Sequence, residues 1–396
     1  MRISNQFAFC FCFFLLPSSI LLAALSGVRE AAGGEFTLTP SLSVDEGYNN
    51  NIFLDPSGGT KDYITTISPA LKLQDNTERL DLDVSAGVSQ LIYATHSELN
   101  ALNQNYLGNA RYQLTPELKV AGSSGYSVIT IPNREILTTG ITSGPSTLHR
   151  QLYFLSADYA VTERTGVTLS SRYGHDTYGG QPSSDFESYD TRAILNHDLS
   201  SLLPALKGIA NLGYSRYLFS SFTVDNYTAT LGASLSISEL WKFVFDGGMR
   251  FTRQTNPTVE ASQTTGFVGH LTLSRQGERT TWNIGAGRDL LPASSAGGTT
   301  ERTSFFSDIT HRFTYELRGS MFVTYFLNQS QAGQFATQTL DTATSIVGSM
   351  LRYEFNRDVA LEGSYRYIWL NDKQQNTNAY QSLFLVRLVL QHKLFE

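Results

Sequence analysis

The 396-residue chain has only two cysteines, Cys10 and Cys12, both near its start. No disulfide framework can hold the remainder together, and thiolate metal sites are excluded there. Charge is also scarce. Asp, Glu, Lys and Arg make up 16% of the residues, against about 25% in an ordinary soluble domain. The balance is acidic, with a net charge of −6, which argues against a nucleic-acid partner. Beyond the first 26 residues no stretch reaches 18 apolar residues, so no later segment crosses a bilayer as a helix. Nucleotide-binding and hydrolase signatures are missing: there is no Walker loop, HExxH, GxSxG elbow or dinucleotide fingerprint. The seven histidines show no metal-ligand spacing. These absences predict a protein that is not an enzyme and needs no cofactor or metal. His175-Asp176 sits near the outer end of a strand, where a barrel hydrolase could place a catalytic pair, and such a dipeptide is common by chance. The cluster Asp45-Glu46 with Asn49-Asn50-Asn51 lacks the spacing of a calcium loop.

What is present is aromatic and alternating. There are 20 Tyr and 24 Phe. Residues 1–26 read as a secretory signal peptide: Arg2 precedes an apolar run from Phe7 to Leu25, with Ala24 and Ser26 before a cleavage site. Residues 27–396 read as one domain. Period-2 segments follow one another to the end, as in strands with two unlike faces. Tyr227, Ala229, Leu231, Ala233, Leu235 and Ile237 share one face, and Asn226, Thr228, Thr230, Gly232, Ser234 and Ser236 the other. Trp241, Phe243, Phe245, Gly247, Met249 and Phe251 alternate with Lys242, Asp246, Arg250 and Thr252.

Short turns alternate with longer links. The short ones fall near Asp75-Asn76, Thr115-Pro116, Glu163-Arg164, Ser238-Glu239, Gln276-Gly277, Tyr315-Glu316 and Asn356-Arg357, with a longer one around Pro204. The links lie near 55–61, 133–146, 181–185, 257–262, 292–299, 329–339 and 371–378. The expected fold is an all-β, transmembrane, antiparallel up-and-down β-barrel of about 18 strands, within roughly 16–20. Lipid offers no partner to backbone N–H and C=O groups, so a spanning sheet must close on itself. The expected location is the outer membrane of a Gram-negative cell, with outer-membrane lipid around the wall. Tyr112, Tyr159, Tyr173, Tyr214, Trp241, Phe251, Tyr325, Tyr353 and Tyr365 sit where interfacial girdles would form.

With the apolar face toward lipid, the other face lines the lumen. The candidate lumen residues are Arg111, Arg172, Arg192, Asp246, Arg250, Asp308, Arg312, Arg318, Arg352, Arg366 and Arg387. Arginine forks bind carboxylates, and rings of charge tune selectivity. Two readings stay open: a weakly anion-favouring wall, or cross-strand Arg–Asp pairs that merely solvate it. Links 133–146 and 329–339 either fold inward as constrictions or stay at the surface.

The stretch from Pro40 to Leu71 carries Glu46, Tyr48, Asn49, Asn51, Ile52, Phe53, Asp62, Pro69 and Leu71. It resembles the opening hairpin of the beta-barrel porin 2 family. Asn50 stands where that family has Asp, and Gly47 intervenes. The resemblance implies an outer-membrane barrel, often encoded beside exopolysaccharide or exosortase gene clusters. It also implies a polysaccharide cargo and a periplasmic polysaccharide-export protein as partner. The leading expectation is a channel for exopolysaccharide secretion. The alternatives are a general diffusion porin for small solutes and a non-conducting barrel acting as an adhesin or structural component.

Overall fold

The computed structural model describes residues 35–130, 135–141, 146–179, 185–256, 259–293, 298–330 and 339–394. The signal-peptide reading of residues 1–26 lies outside them. The strands are β1 (Glu35–Asn49), β2 (Asp62–Asn76), β3 (Leu80–Tyr93), β4 (Ala101–Gln113), β5 (Leu118–Thr130) and β6 (Thr147–Thr162). They continue as β7 (Thr165–Gly179), β8 (Phe186–Asp198), β9 (Leu206–Phe219), β10 (Thr223–Ser236), β11 (Trp241–Asn256) and β12 (Val259–Gln276). The last six are β13 (Thr280–Ala293), β14 (Gly298–Arg312), β15 (Leu317–Ser330), β16 (Leu340–Glu354), β17 (Val359–Asp372) and β18 (Thr377–Gln391).

Each strand pairs with its sequence neighbours, and β18 pairs antiparallel with β1, so the 18 strands form one closed barrel. Closure removes the edges that lipid cannot solvate. The expected strand count and topology are met. Four expected links, 257–262, 292–299, 329–339 and 371–378, are shorter than the sequence suggested. β12 already begins at Val259, and Pro292 lies inside β13, because these strands run on past the apolar belt. Among the described residues no helix is long and apolar enough to cross a membrane. The one α-helix there is a single turn, α1 (Ile136–Thr139).

The alternating faces sort as period 2 demands. Leu231 is 72% exposed, Leu212 65% and Leu155 64%, as side chains are when only lipid covers them. Aromatic rings stack from strand to strand around the wall. Tyr153, Tyr173 and Tyr189 form one run, and Tyr214, Tyr227 and Phe251 another. Tyr48–Tyr63, Tyr106–Tyr126, Phe305–Tyr325 and Tyr365–Phe384 continue the band. It lies toward the ends joined by long links, the extracellular side of such barrels. Trp241–Trp282 and Tyr353–Phe355 mark the opposite rim, near the short turns. Amphipathic rings at both rims hold a barrel at a fixed depth.

Leu231 lies between these rims and outside the wall. Leu231→Arg is expected to destabilise the barrel by about 2–4 kcal/mol, whereas Leu231→Met stays within about 1.5 kcal/mol. Denaturant midpoints after refolding into lipid vesicles check this.

Candidate functional site in the barrel interior

The inner wall is built from the polar phase of each strand. On one side its charges form a continuous chain. Arg387 forks onto Asp45 across the β18–β1 seam, at 2.7 and 2.9 Å. Its third nitrogen lies 3.6 Å from Glu362 on β17. Glu362 in turn accepts from Arg352 on β16, at 2.5 Å, and Arg352 also reaches Glu354 at 2.9 Å. Four strands are thus laced by charge-assisted bonds where the barrel closes. Arg111 lies 3.7 Å from Asp81, and Asp308 accepts from Asn283 at 2.9 Å.

The remaining candidates are spread around the ring. Asp246 faces His270 at 3.4 Å. Arg172 stands over the Phe154 ring at 5.8 Å. Arg312 sits over Tyr315 at 5.7 Å, down at a short turn, where it donates to the Glu278 carbonyl. Among the described residues Arg192, Arg318 and Arg366 form no ion pair. Arg192 on β8 and Arg366 on β17 occupy walls nine strands apart in an 18-strand ring, on opposite sides of the lumen.

Arg250 differs from the other arginines. It is 2% exposed, donates to Thr252 at 2.7 Å and pairs with Glu301 on β14. Glu301 also takes Arg288 at 2.6 Å. Sequence order gave no sign of this pairing, because Arg250 and Glu301 belong to strands three places apart.

Three inserts narrow the outer half of the lumen. The first is the segment around α1. Its Glu135 accepts from the Tyr178 hydroxyl on β7 at 2.7 Å. Its Ile136 packs with Phe326, Ile346 and Ile368 on β15, β16 and β17. Its Gly140 ends the turn in the left-handed region, φ 72°, and its carbonyl accepts from Thr344. A Cβ there would strike Phe326, so glycine is required both by conformation and by space. Reaching from β7 to β16, this segment crosses the interior. Of the two readings left open for link 133–146, the inward one holds for residues 135–141. Residues 331–338 of the other link lie outside the described residues. The second insert is the β1–β2 loop, which places Leu54 in the same apolar cluster as Ile136. The third is the upper part of β13 and β14. Ala293 packs on Ile141, and Leu290 is buried among Leu148, Tyr178, Phe186, Tyr217 and Val224 on β6 to β10.

The Tyr-Asn-Asn-Asn motif explains the second insert. Asn51 takes the Asp55 N–H at 2.9 Å and donates to the carbonyls of Asp55 and Tyr380 at 3.0 and 2.9 Å. Its own carbonyl accepts from Gln381, and Asn50 accepts the Ser382 N–H at 2.7 Å. Asp62 closes the other end, accepting from the N–H groups of Tyr63, Thr95 and His96. The Ser57 hydroxyl and N–H hold the Asp55 carboxyl below the usual carboxylate range. These residues latch the loop onto β18 and β3. Asp45 is engaged with Arg387 and Glu46 accepts from Thr65, so the acidic cluster is divided between two separate contacts.

The comparisons with known proteins bear on this architecture. Residues 30–139 match the model of a family described as "Putative beta-barrel porin 2". That span holds the first five strands, the latch and part of the crossing segment. The matched span is thus similar to the opening part of a porin-type barrel. Among solved structures, OccK2 (OpdF) of Pseudomonas aeruginosa is similar at 9% identity, covering 92% of this chain and 100% of that one, TM-score 0.49. OccAB4 of Acinetobacter baumannii is similar at 10% identity, covering 91% and 98%, TM-score 0.48. The outer membrane protein opdK of Pseudomonas aeruginosa is similar at 10% identity, covering 90% and 99%, TM-score 0.46. No curated protein sequence matches.

In the pair His175-Asp176 the carboxylate serves the wall. Asp176 is gripped by both ends of the Arg150 fork, at 2.9 and 2.6 Å, while His175 lies in the opposite phase of β7. The barrel interior therefore offers charge, hydroxyls and amides.

Two tests follow from the interior. Glu362→Ala removes one carboxylate shared by two arginines, which keep Asp45 and Glu354. It is expected to cost about 1–3 kcal/mol, less than a fully buried pair because Arg387 is 39% exposed, read as a lowered denaturant midpoint. Ile136→Asp puts a charge into an apolar cluster and should expel the crossing segment. Single-channel conductance in planar bilayers should then rise above that of the unaltered protein.

Proposed function

We propose that this barrel is the outer-membrane channel through which an exopolysaccharide leaves the cell. The observation that carries the reading is the division of the lumen into two halves. The half near the short turns is lined by Arg, Asp and Asn, and among the described residues no insert crosses it; an 18-strand wall leaves room there for an aqueous channel. The outer half is crossed by inserts that pack against one another. A diffusion porin for small solutes works with a standing opening; a polymer exporter needs one only while polymer passes. The family resemblance, with its link to exopolysaccharide gene clusters, supports the same reading.

In this reading the polymer enters from the periplasmic side, handed over by a periplasm-spanning export protein. Arg192 and Arg366 face each other across its path without carboxylate partners, so acidic groups of the polymer find free guanidinium forks. The lumen-facing Asp246, Asp308, Arg111, Arg172, Arg312 and Arg318 keep the wall hydrated, and Arg352 and Arg387 fix its seam. Passage is facilitated diffusion along a weakly binding surface, with no bond made or broken.

Deleting the gene is expected to abolish extracellular polymer, and the gene in trans to restore it. Replacing Arg192 and Arg366 together with Gln should lower export several-fold while the barrel assembles normally. Unchanged extracellular polymer in the deletion strain, with no second barrel substituting, overturns the proposal.

A further inference from the structure

The ladder between β12 and β13 is the shortest in the barrel. β12 pairs with β11 out to Val259. With β13 it pairs over eight positions only, from Gly269↔Arg288 to Gln276↔Thr281. β13 runs on to Ala293 with backbone rungs to β14 alone, and the last tie to β12 is the side-chain bond of Asp289 to His270 at 2.6 Å. Residues 259–268 of β12 and 289–293 of β13 therefore border a fork in the wall. The fork opens beside the outer aromatic band, because Phe251 of that band lies opposite Thr265 and Phe305 lies opposite Ala286.

The side chains above the fork show where β13 and β14 have gone. Leu290 shares its face with Arg288 and Ala286, the face that carries lipid-exposed Phe305 across the ladder. By that phase Leu290 belongs to the lipid. Instead it is 4% exposed, within the interior cluster of β6 to β10. Glu301, on the same face as Leu290, meets Arg250 inside the barrel. The upper β13–β14 pair has leaned into the lumen like a tongue. Gly285 and Gly287 lie just below the fork, where missing side chains ease a bend.

Continuing the β12–β13 register upward is arithmetic on the pairs already formed. It sets Val268 opposite Asp289, Phe267 opposite Leu290 and Thr264 opposite Ala293. Phe267 is 57% exposed on the lipid face. The continuation would place Leu290 beside it, apolar against apolar, in the phase both already have. The same chain thus has two complementary berths for one element: the interior cluster and the free edge of β12.

The geometry points to the upper strand pair, residues 289–293 of β13 and 298–303 of β14, as the channel's gate, closed when it leans into the lumen and open when it zips onto β12. Moving outward exchanges the burial of Leu290 and Ala293 and the Arg250–Glu301–Arg288 cluster for backbone rungs on β12. It also removes the support of Ile141 and uncovers the Arg250 guanidinium, which now lies over Gly266. An anionic solute competing with Glu301 for Arg250 would bias the exchange toward opening. This last point rests on the export reading; the two berths do not.

The test uses two cysteine pairs in the full chain with Cys10 and Cys12 replaced by Ser. F267C with L290C can cross-link only in the zipped arrangement, and R250C with E301C only in the folded-in one. Purified barrels in lipid vesicles are oxidised, disulfide-linked peptides are quantified by mass spectrometry, and ion conductance is measured before and after reduction. Both cross-links are expected to form. Adding Glu301→Gln to F267C/L290C should raise its cross-link yield. Conductance should rise when the zipped pair is locked and fall when the folded-in pair is locked, each reversed by reductant. If R250C/E301C cross-links, which shows a folded barrel, but F267C/L290C never does even with Glu301→Gln, the gate is refuted. Equal conductance in the two locked states refutes it as well. No polymer enters this assay, so failure of the polysaccharide proposal would appear in cells and leave this result standing.

Discussion

Every peptide group that meets hydrocarbon must find its partner within the protein, and the rest of this structure follows from that demand. It forces each strand to pair on both sides and β18 to return to β1. It sets the alternation of faces, since a two-sided ladder leaves side chains only the lipid or the lumen. It also limits where the wall can be interrupted. The fork between β12 and β13 starts beside the outer aromatic band, near the boundary with water, where an unpaired N–H or C=O is cheaply solvated.

Inside, the demand is different. Water can reach the lower lumen, so Arg, Asp and Asn can stand there paired or free. The outer lumen is filled by apolar side chains taken from three separate places: a loop latched by asparagines, a one-turn helix, and a hairpin bent out of the wall. None of the three has an independent core. They hold because they pack on one another and on the apolar residues that the inner wall carries at that level, such as Phe326, Ile346 and Val224.

Much of the fold was legible because it is periodic. The alternation around Tyr227 and Trp241 located strands and faces, and the spacing of turns gave their number. The asparagine motif was visible, though its job as a latch onto Tyr380, Gln381 and Ser382 was not, since those partners lie more than 300 residues away. The seam partners Asp45 and Arg387 were hidden for the same reason. Leu290 misleads by pattern alone: its phase says lipid, and only the bend of the hairpin puts it inside. The region 292–299 reads as a link because of its proline, serines and glycines, yet Pro292 and Ala293 are still paired with β14. Arg250 belongs to the polar phase of β11, but its burial by a strand three places away leaves no trace in local sequence.

The seam also has a meaning in time. Asp45 and Arg387 are 342 residues apart, and the rungs around them are the most distant pairings in the barrel. β1 can zip to β2 as soon as both exist, but its other edge stays bare until β18 arrives. Throughout that interval the growing sheet carries an unsatisfied border and an uncompensated carboxylate. The Arg387–Asp45 fork is then a fastening that reports completion: it cannot form on a barrel that lacks its final strand.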